Sequence, residues 1–164
     1  MKNKKLIIIR CITNPYYGLG HFKRCFFLAK SLRTIGFDIL FIITKNSFVE
    51  SELLKNNLQY KIILNYSNII NEVKKIQEIS NQINSKIIIV DMRNFSEIFL
   101  KELKSEFYTI LIDDAWNKNI FSNLVLNGTT IQKYHKYTKY YNAKIFTGLN
   151  FFITLQNWLE ANKS

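Results

Sequence analysis

Cysteine is scarce in this sequence, which argues against a disulfide framework and against a metal site built from cysteine and histidine. There are two cysteines, Cys11 and Cys25, among 164 residues, so the chain cannot build a framework of several disulfides. No set of cysteine and histidine residues has the spacing of metal ligands. Because the two cysteines fall in a predicted strand and a predicted helix, we interpret them as buried thiols in a reducing compartment. We expect neither a bound metal nor a cofactor.

Long apolar runs are lacking as well. The basic N-terminus at residues 1–5 is followed by an apolar run that ends at Arg10. This run is too short for the core of a signal peptide and far too short for a membrane span. The sequence therefore predicts a cytoplasmic protein with no membrane span.

Acidic residues are few, since 12 Asp and Glu face 23 Lys and Arg, for a net charge of +11. Such a charge attracts nucleic acid, acidic membranes or an anionic small substrate. The lysines are scattered, however, as codon bias in an AT-rich genome would produce. Residues 134–141 interleave basic side chains with tyrosines and resemble a stacking surface for single-stranded nucleic acid. A tyrosine-rich surface segment is, however, the commoner case. We rank nucleic acid last among the partners.

Apolar segments that predict strands alternate with amphipathic segments that predict helices. The predicted strands are residues 6–12, 37–44, 60–64, 86–90, 108–112, 124–126 and 143–146. The predicted helices are residues 21–35, 46–57, 69–83, 95–107 and 151–161, and the inward residues of the fourth are Phe95, Ile98, Phe99 and Leu103. This alternation predicts an α/β fold with a Rossmann-like parallel sheet and helices on both faces.

In an open parallel sheet, ligands bind beyond the carboxyl ends of the strands. Four polar stretches follow predicted strands, at residues 14–21, 91–94, 113–116 and 127–130. We expect these stretches to meet on one rim, although they are far apart in sequence.

The first stretch contains Gly18 and Gly20 just before a helix. A dinucleotide fingerprint would place a third glycine where Lys23 stands, so the loop is a weak nucleotide signature. Backbone amides at a helix start favour an anion by about 0.3–1 kcal/mol. The alternative is a plain strand-to-helix turn.

His21 stands at the start of the same helix, where the helix dipole disfavours a charged ring. A neutral imidazole there could accept a proton, whereas the structural alternative is a helix cap or a packing residue. Cys25 follows one turn later. A Cys–His nucleophilic pair is conceivable, but Cys25 falls in the apolar stripe of the helix, which favours packing.

Three aspartates, Asp91, Asp113 and Asp114, end consecutive buried strands. Carboxylates at this position are often functional, but aspartate also caps helices well, and both interpretations stay open. Arg24 could meet one of these carboxylates or a phosphate. An ion pair on a solvated face is the commoner alternative for such an arginine.

Residues 18–29, GLGHFKRCFFLA, fit the pattern G-x-G-H-x-x-R-C-x-x-L-A. This pattern resembles the nucleotide-sugar hydrolases of pseudaminic acid biosynthesis, which act on UDP-2,4-diacetamido-2,4,6-trideoxy-β-L-altropyranose, and the related spore-coat polysaccharide biosynthesis proteins. That family shares a two-domain glycosyltransferase B fold with MurG-type enzymes. The similarity continues at residues 89–91, 111–114, 126–127 and 147–152.

The resemblance implies hydrolysis of a nucleotide sugar with release of UDP, and it implies that His21 is the catalytic residue. His21 would accept a proton from the water that attacks the anomeric carbon, which is worth ~10²–10⁴ in rate. Asn14, Gly18 and Gly20 would border the sugar diphosphate. The predicted substrate-binding residues are Asn14, Gly18, Gly20, Arg24, Asp91 and Asp113.

The resemblance also implies a domain arrangement. Residues 1–150 correspond to the N-terminal domain of the family, and residues 151–164 to a helix that connects to a second domain, which in the family holds most of the nucleotide contacts. That domain is expected as a partner of this chain, in the same protein or a separate one. After the fourth strand this chain has DMRN, where the family commonly has DHYG. Two alternatives remain: a glycosyltransferase-like relative, and a non-catalytic half-domain that binds a sugar or a partner.

Overall fold

The computed structural model describes residues 5–13, 18–64, 68–93, 95–114, 119–129, 142–151 and 153. Its strands are β1 (Leu6–Cys11), β2 (Asp38–Thr44), β3 (Gln59–Ile63), β4 (Ile87–Asp91), β5 (Tyr108–Ile112), β6 (Leu124–Asn127) and β7 (Lys144–Thr147). Its helices are α1 (Gly20–Thr34), α2 (Ser47–Lys55), α3 (Ile69–Ile83) and α4 (Glu97–Glu106), followed by a 3-10 helix at Leu149–Phe151. All seven predicted strands are confirmed.

The strands form one parallel sheet in the order β3-β2-β1-β4-β5-β6-β7. The order reverses direction between β1 and β4, where Cys11 pairs in register with Asp91. The chain leaves β1 toward one side of this point and leaves β4 toward the other, so a crevice opens at their carboxyl ends. The site described below lies at this point of the sheet.

Both faces of the sheet are covered, which confirms the predicted Rossmann-like α/β fold. On one face α1 and α2 pack through residues that include Phe22, Ala29 and Leu53, and on the other face α3 and α4 pack through Ile76 and Leu103. Successive residues of a strand point to opposite faces. Continuous apolar runs therefore supply both cores, and each buried isoleucine or leucine contributes roughly 1.5–3 kcal/mol.

Residues at the helix ends explain where the helices begin and end. The predicted buried face of α4 needs one correction. Gly36 follows α1 with φ of +97°, as a left-handed helix end requires. The Asn46 side chain accepts from the Val49 N–H at the start of α2. In α4, however, Ile98 is 58% exposed and Leu100 is buried. Apolar residues occupy three consecutive positions there, and the face that packs on α3 includes Leu100 instead of Ile98.

The predicted helix over residues 151–161 lies almost wholly outside the described residues. Phe151 itself ends the 3-10 helix, and Ile153 is not helical. The tyrosine-rich stretch at residues 134–141 also lies outside the described part of the chain. Within that part, no helix combines the length and apolar character needed to cross a bilayer.

Candidate functional site

A buried carboxylate lies where α1 meets the central strands. Asp91 is the last residue of β4 and is fully buried. Its Oδ1 lies 2.7 Å from Nδ1 of His21, which sits in the first turn of α1 and is 8% exposed. The structure thus brings together two residues that are 70 positions apart in sequence.

Two further residues of α1 bind the same carboxylate. Arg24 donates through Nε to Oδ2 and through Nη2 to Oδ1, and Cys25 Sγ lies 3.4 Å from Oδ2. Residues at i, i+3 and i+4 share one face of a helix, which is why His21, Arg24 and Cys25 all reach Asp91. We call these four residues the Asp91 cluster.

Arg24 carries a permanent charge in this cluster. Burial alone would lower the pKa of Arg24, but the hydrogen bond and charge of Asp91, with the charge of Asp114, raise it above its ordinary value. A raised pKa in a base favours the cation. Asp91 therefore has a positive partner at every pH at which the protein is folded.

Cys25 is a packing residue rather than a nucleophile. Burial, the contact with Cys11 and the charge of Asp91 raise the pKa of the Cys25 thiol well above its ordinary value, against the opposing effect of Arg24. Both cysteines are fully buried. Because the reactive species is the thiolate, this environment supports packing over a Cys–His nucleophilic pair.

Alkylation can test this assignment. We expect iodoacetamide at neutral pH to label Cys25 of the folded chain at least about tenfold more slowly than Cys25 of the urea-unfolded chain, because burial denies the reagent access and each unit of raised pKa removes a factor of about ten in thiolate. The labelled positions are read by mass spectrometry. Rapid labelling of Cys25 in the folded chain would contradict the packing role.

An open cleft of about 380 Å³ lies beside the cluster. Its polar lining includes His21, Lys23, Arg24, Asp113, Asp114 and Thr129, and its apolar lining includes Phe27, Ile112, Phe151 and Ile153. The volume lies at the lower end of the range for small-molecule sites, which is roughly 300–1,000 Å³. The predicted convergence of strand ends therefore produces a real concave surface.

The predicted site residues occupy different places around this cleft. Gly20, His21, Arg24 and Asp113 line it, and Asp91 lies fully buried beneath His21 and Arg24. Gly18 is exposed with φ of +70°, and a Cβ there would meet no atom within 4 Å. Glycine is therefore favoured at position 18 by its backbone conformation and not by lack of space.

Asn14 lies outside the described residues. The alternative in which Asp91 caps a helix is not observed, because α4 is capped by Ser96. Asp114 lies 3.3 Å from Nη1 of Arg24, so the arginine meets two of the three aspartates. Among the described residues, no three Cys, His, Asp or Glu side chains are grouped to hold a metal ion.

The sequence analysis missed several lining residues, including Lys23, Phe27, Ile112, Phe151 and Ile153. The helical spacing of Phe27 could have indicated its place in the lining. Gly20, Arg24 and Phe27 stand at i, i+4 and i+7, which places them on a single helix face. The last two of the missed residues follow β7, where sequence offers no periodic pattern.

Solved structures share this architecture. A glycosyltransferase from Rickettsia africae ESF-5 matches with a TM-score of 0.65 at 18% identity, over 88% of this chain and 42% of its own. The chain has the Rossmann-like fold of one half of a glycosyltransferase B fold. MurG from Acinetobacter baumannii matches with a TM-score of 0.56 at 11% identity, over 87% of this chain and 44% of its own.

At these identities the structural matches establish the fold of one half of a glycosyltransferase B protein and no more. The chain spans less than half the length of either structure. No protein-family model matches the sequence, and no curated protein matches it.

Proposed function

We propose that this chain forms the sugar-side wall of a nucleotide-sugar site and that His21 is its general base. The observation that carries the proposal is the placement of His21 at the cleft, with Nδ1 only 2.7 Å from the buried Asp91. Since Nδ1 is engaged below the cleft, Nε2 is the ring nitrogen available to a ligand. A base at the wall of the cleft is accessible to a water bound there, and proton transfer requires hydrogen-bond reach between the two.

In the reaction, the nucleophile is water and Nε2 of His21 accepts its proton. The water oxygen bonds to the anomeric carbon of the sugar while the bond from that carbon to the diphosphate oxygen breaks. UDP leaves with the electron pair of that bond, and the free sugar is released. A positioned base of this kind contributes ~10²–10⁴ in rate.

The start of α1 suits a diphosphate. Its first turn contains no acidic residue, and Leu19 at the N-cap provides no side-chain cap. Exposed Lys23 lines the cleft beside this turn, whereas the Arg24 guanidinium is already paired with Asp91 and Asp114. The helix amides and the Lys23 ammonium favour a bound anion at this end of the cleft, which agrees with a phosphorylated substrate.

The group that attacks the anomeric carbon distinguishes hydrolysis from glycosyl transfer. The motif at residues 18–29 resembles hydrolases of UDP-diacetamido sugars, which favours water. The Rickettsia africae match is a glycosyltransferase, which favours the hydroxyl of an acceptor sugar as the second candidate. In both versions His21 removes a proton from the attacking oxygen.

We further propose that a second α/β domain supplies the nucleotide contacts, either in the same protein or in a separate chain. The support is the share of the neighbours that this chain covers, 42% and 44%. The two walls would then enclose the substrate between them, as ligand sites at domain interfaces commonly do.

The proposal is tested with UDP-2,4-diacetamido-2,4,6-trideoxy-β-L-altropyranose in oxygen-18-labelled water, with UDP-glucose as the control nucleotide sugar. The protein is assayed alone and with the second domain. UDP release with label in the free sugar supports hydrolysis, and release only after an acceptor sugar is added supports transfer. Binding without release supports the non-catalytic alternative, and failure to bind any nucleotide sugar overturns the proposal.

A further inference from the structure

Asp91 has no role in the steps above, yet it is the most completely enclosed acidic group of the site. It is fully buried and does not line the cleft. We propose that Asp91 is a positioning residue that holds neutral His21 in the tautomer with hydrogen on Nδ1, so that Nε2 carries the lone pair. The catalytic consequence rests on the proposed function, whereas the tautomer itself does not.

The contact between the two side chains fixes where the ring hydrogen lies. A carboxylate oxygen can only accept a hydrogen bond. At 2.7 Å between Oδ1 and Nδ1, a ring without hydrogen on Nδ1 would direct its lone pair at those of the oxygen. The hydrogen must therefore be on Nδ1, and in a neutral imidazole Nε2 is then the acceptor.

Asp91 can play this part only as a carboxylate, and the Arg24 and Cys25 groups that contact it are hydrogen-bond donors. Both of its oxygens receive hydrogen bonds from the Arg24 guanidinium, which does not lose its proton in proteins. Cys25 Sγ, 3.4 Å from Oδ2, is a further donor on the same group. Asp91 is thus surrounded by donors and is left with the role of acceptor.

One contact argues for the other tautomer. Nη2 of Arg24 lies 3.2 Å from Nδ1 of His21 and could donate to that nitrogen if it carried a lone pair. However, the same Nη2 also donates to Oδ1 of Asp91 at a shorter distance, and the Asp91 contact with Nδ1 is itself shorter than 3.2 Å. The geometry therefore favours hydrogen on Nδ1.

The substitution Asp91→Asn separates the two arrangements. If the new amide nitrogen faces His21, it donates to Nδ1 and moves the ring hydrogen to Nε2. If it takes the place of Oδ2 instead, it opposes the Nε–H of Arg24, which is then left without an acceptor in a buried place, and this is costly. In the first orientation the new amide meets Nη2 of Arg24, but Nη2 keeps an acceptor in Nδ1 of His21. We therefore expect the flipped tautomer, a kcat about 10²–10⁴-fold lower, and a KM changed by less than about threefold.

Long-range proton–nitrogen-15 NMR of the full chain reads the tautomer directly, at a pH above the titration of the ring. His21→Gln identifies the His21 signals against those of His135, the other histidine of the sequence. In the wild-type chain we expect a protonated Nδ1 and an unprotonated Nε2, and in Asp91→Asn the reverse. Glu72→Gln is the matched control, because Glu72 is also a buried carboxylate that binds an arginine, Arg10, and it should leave the tautomer unchanged.

A wild-type ring with hydrogen on Nε2 overturns the inference, and this result needs no variant to fold. A flipped tautomer in Asp91→Asn with unchanged kcat overturns the catalytic part. A third result is hydrogen on Nδ1 in a chain that neither binds nor converts nucleotide sugars. That result supports the positioning of His21 by Asp91 and overturns the proposed function. The two proposals therefore fail in distinguishable ways.

Discussion

Replacement of His21 by alanine should lower the rate of UDP release by about 10²–10⁴-fold. The ring is the base of the proposed reaction, and no other imidazole lines the cleft among the described residues. The chain should remain folded, because Asp91 keeps its ion pair with Arg24 when the histidine is removed. Turnover by a coupled UDP assay and the thermal midpoint by circular dichroism measure the two effects.

Added imidazole should restore part of the His21→Ala activity, because the missing ring leaves space beside the cleft. Ser31→Ala is the control, since Ser31 is exposed on the same helix and does not line the cleft. Unchanged turnover in His21→Ala would remove the histidine from the mechanism.

Replacement of Arg24 by leucine should destabilise the chain by several kcal/mol. Loss of one partner of a buried pair typically costs about 3–5 kcal/mol. Because the Arg24 side chain is itself 25% exposed, we expect a value near 3 kcal/mol. The cause is that buried Asp91 loses its permanent cation. The free energy of unfolding is measured by urea denaturation.

Arg33→Leu is the matched control for this experiment. Arg33 is an exposed arginine on the same helix that donates to the carbonyls of Asn56 and Asn57, and its loss should cost less than about 1 kcal/mol. Adding Asp91→Asn to Arg24→Leu should recover part of the loss, since no unpaired charge remains. Equal costs for Arg24→Leu and Arg33→Leu would show that the buried pair contributes little.

The fold could be predicted because the strands are recognisable in the sequence as short apolar runs. Strands buried on both faces read as continuous apolar runs, as in the sequence of β4. The predicted bounds of α3 agree with the structure, since Asn68 caps its start and Asn84 ends it in a left-handed conformation. Phe95, just before α4, and Phe99 and Leu103 within it are buried as predicted, but the burial of Leu100 in place of Ile98 could not be predicted, because both neighbours of Phe99 are apolar.

The location of the candidate site at the rim of the sheet could be predicted, but the contacts between its side chains could not. The parallel sheet brings His21, Asp91 and Asp113 to one rim, as expected. Residues 87 and 89 pack toward α1, and alternation along β4 could also have placed Asp91 beneath that helix. Which carboxylates Arg24 contacts depends on side-chain packing at the start of α1, and the sequence carries no information on it.

The sharing of one carboxylate by three side chains has an evolutionary consequence. A single replacement at Asp91 or Arg24 removes a hydrogen-bond partner from a buried group, so such a change is costly unless a second change compensates for it. Descendants of this chain should therefore inherit the Asp91 cluster as a block, while exposed neighbours such as Ser31 drift freely. Co-inheritance of four positions separated by up to 70 residues would mark distant relatives whose overall identity has become uninformative.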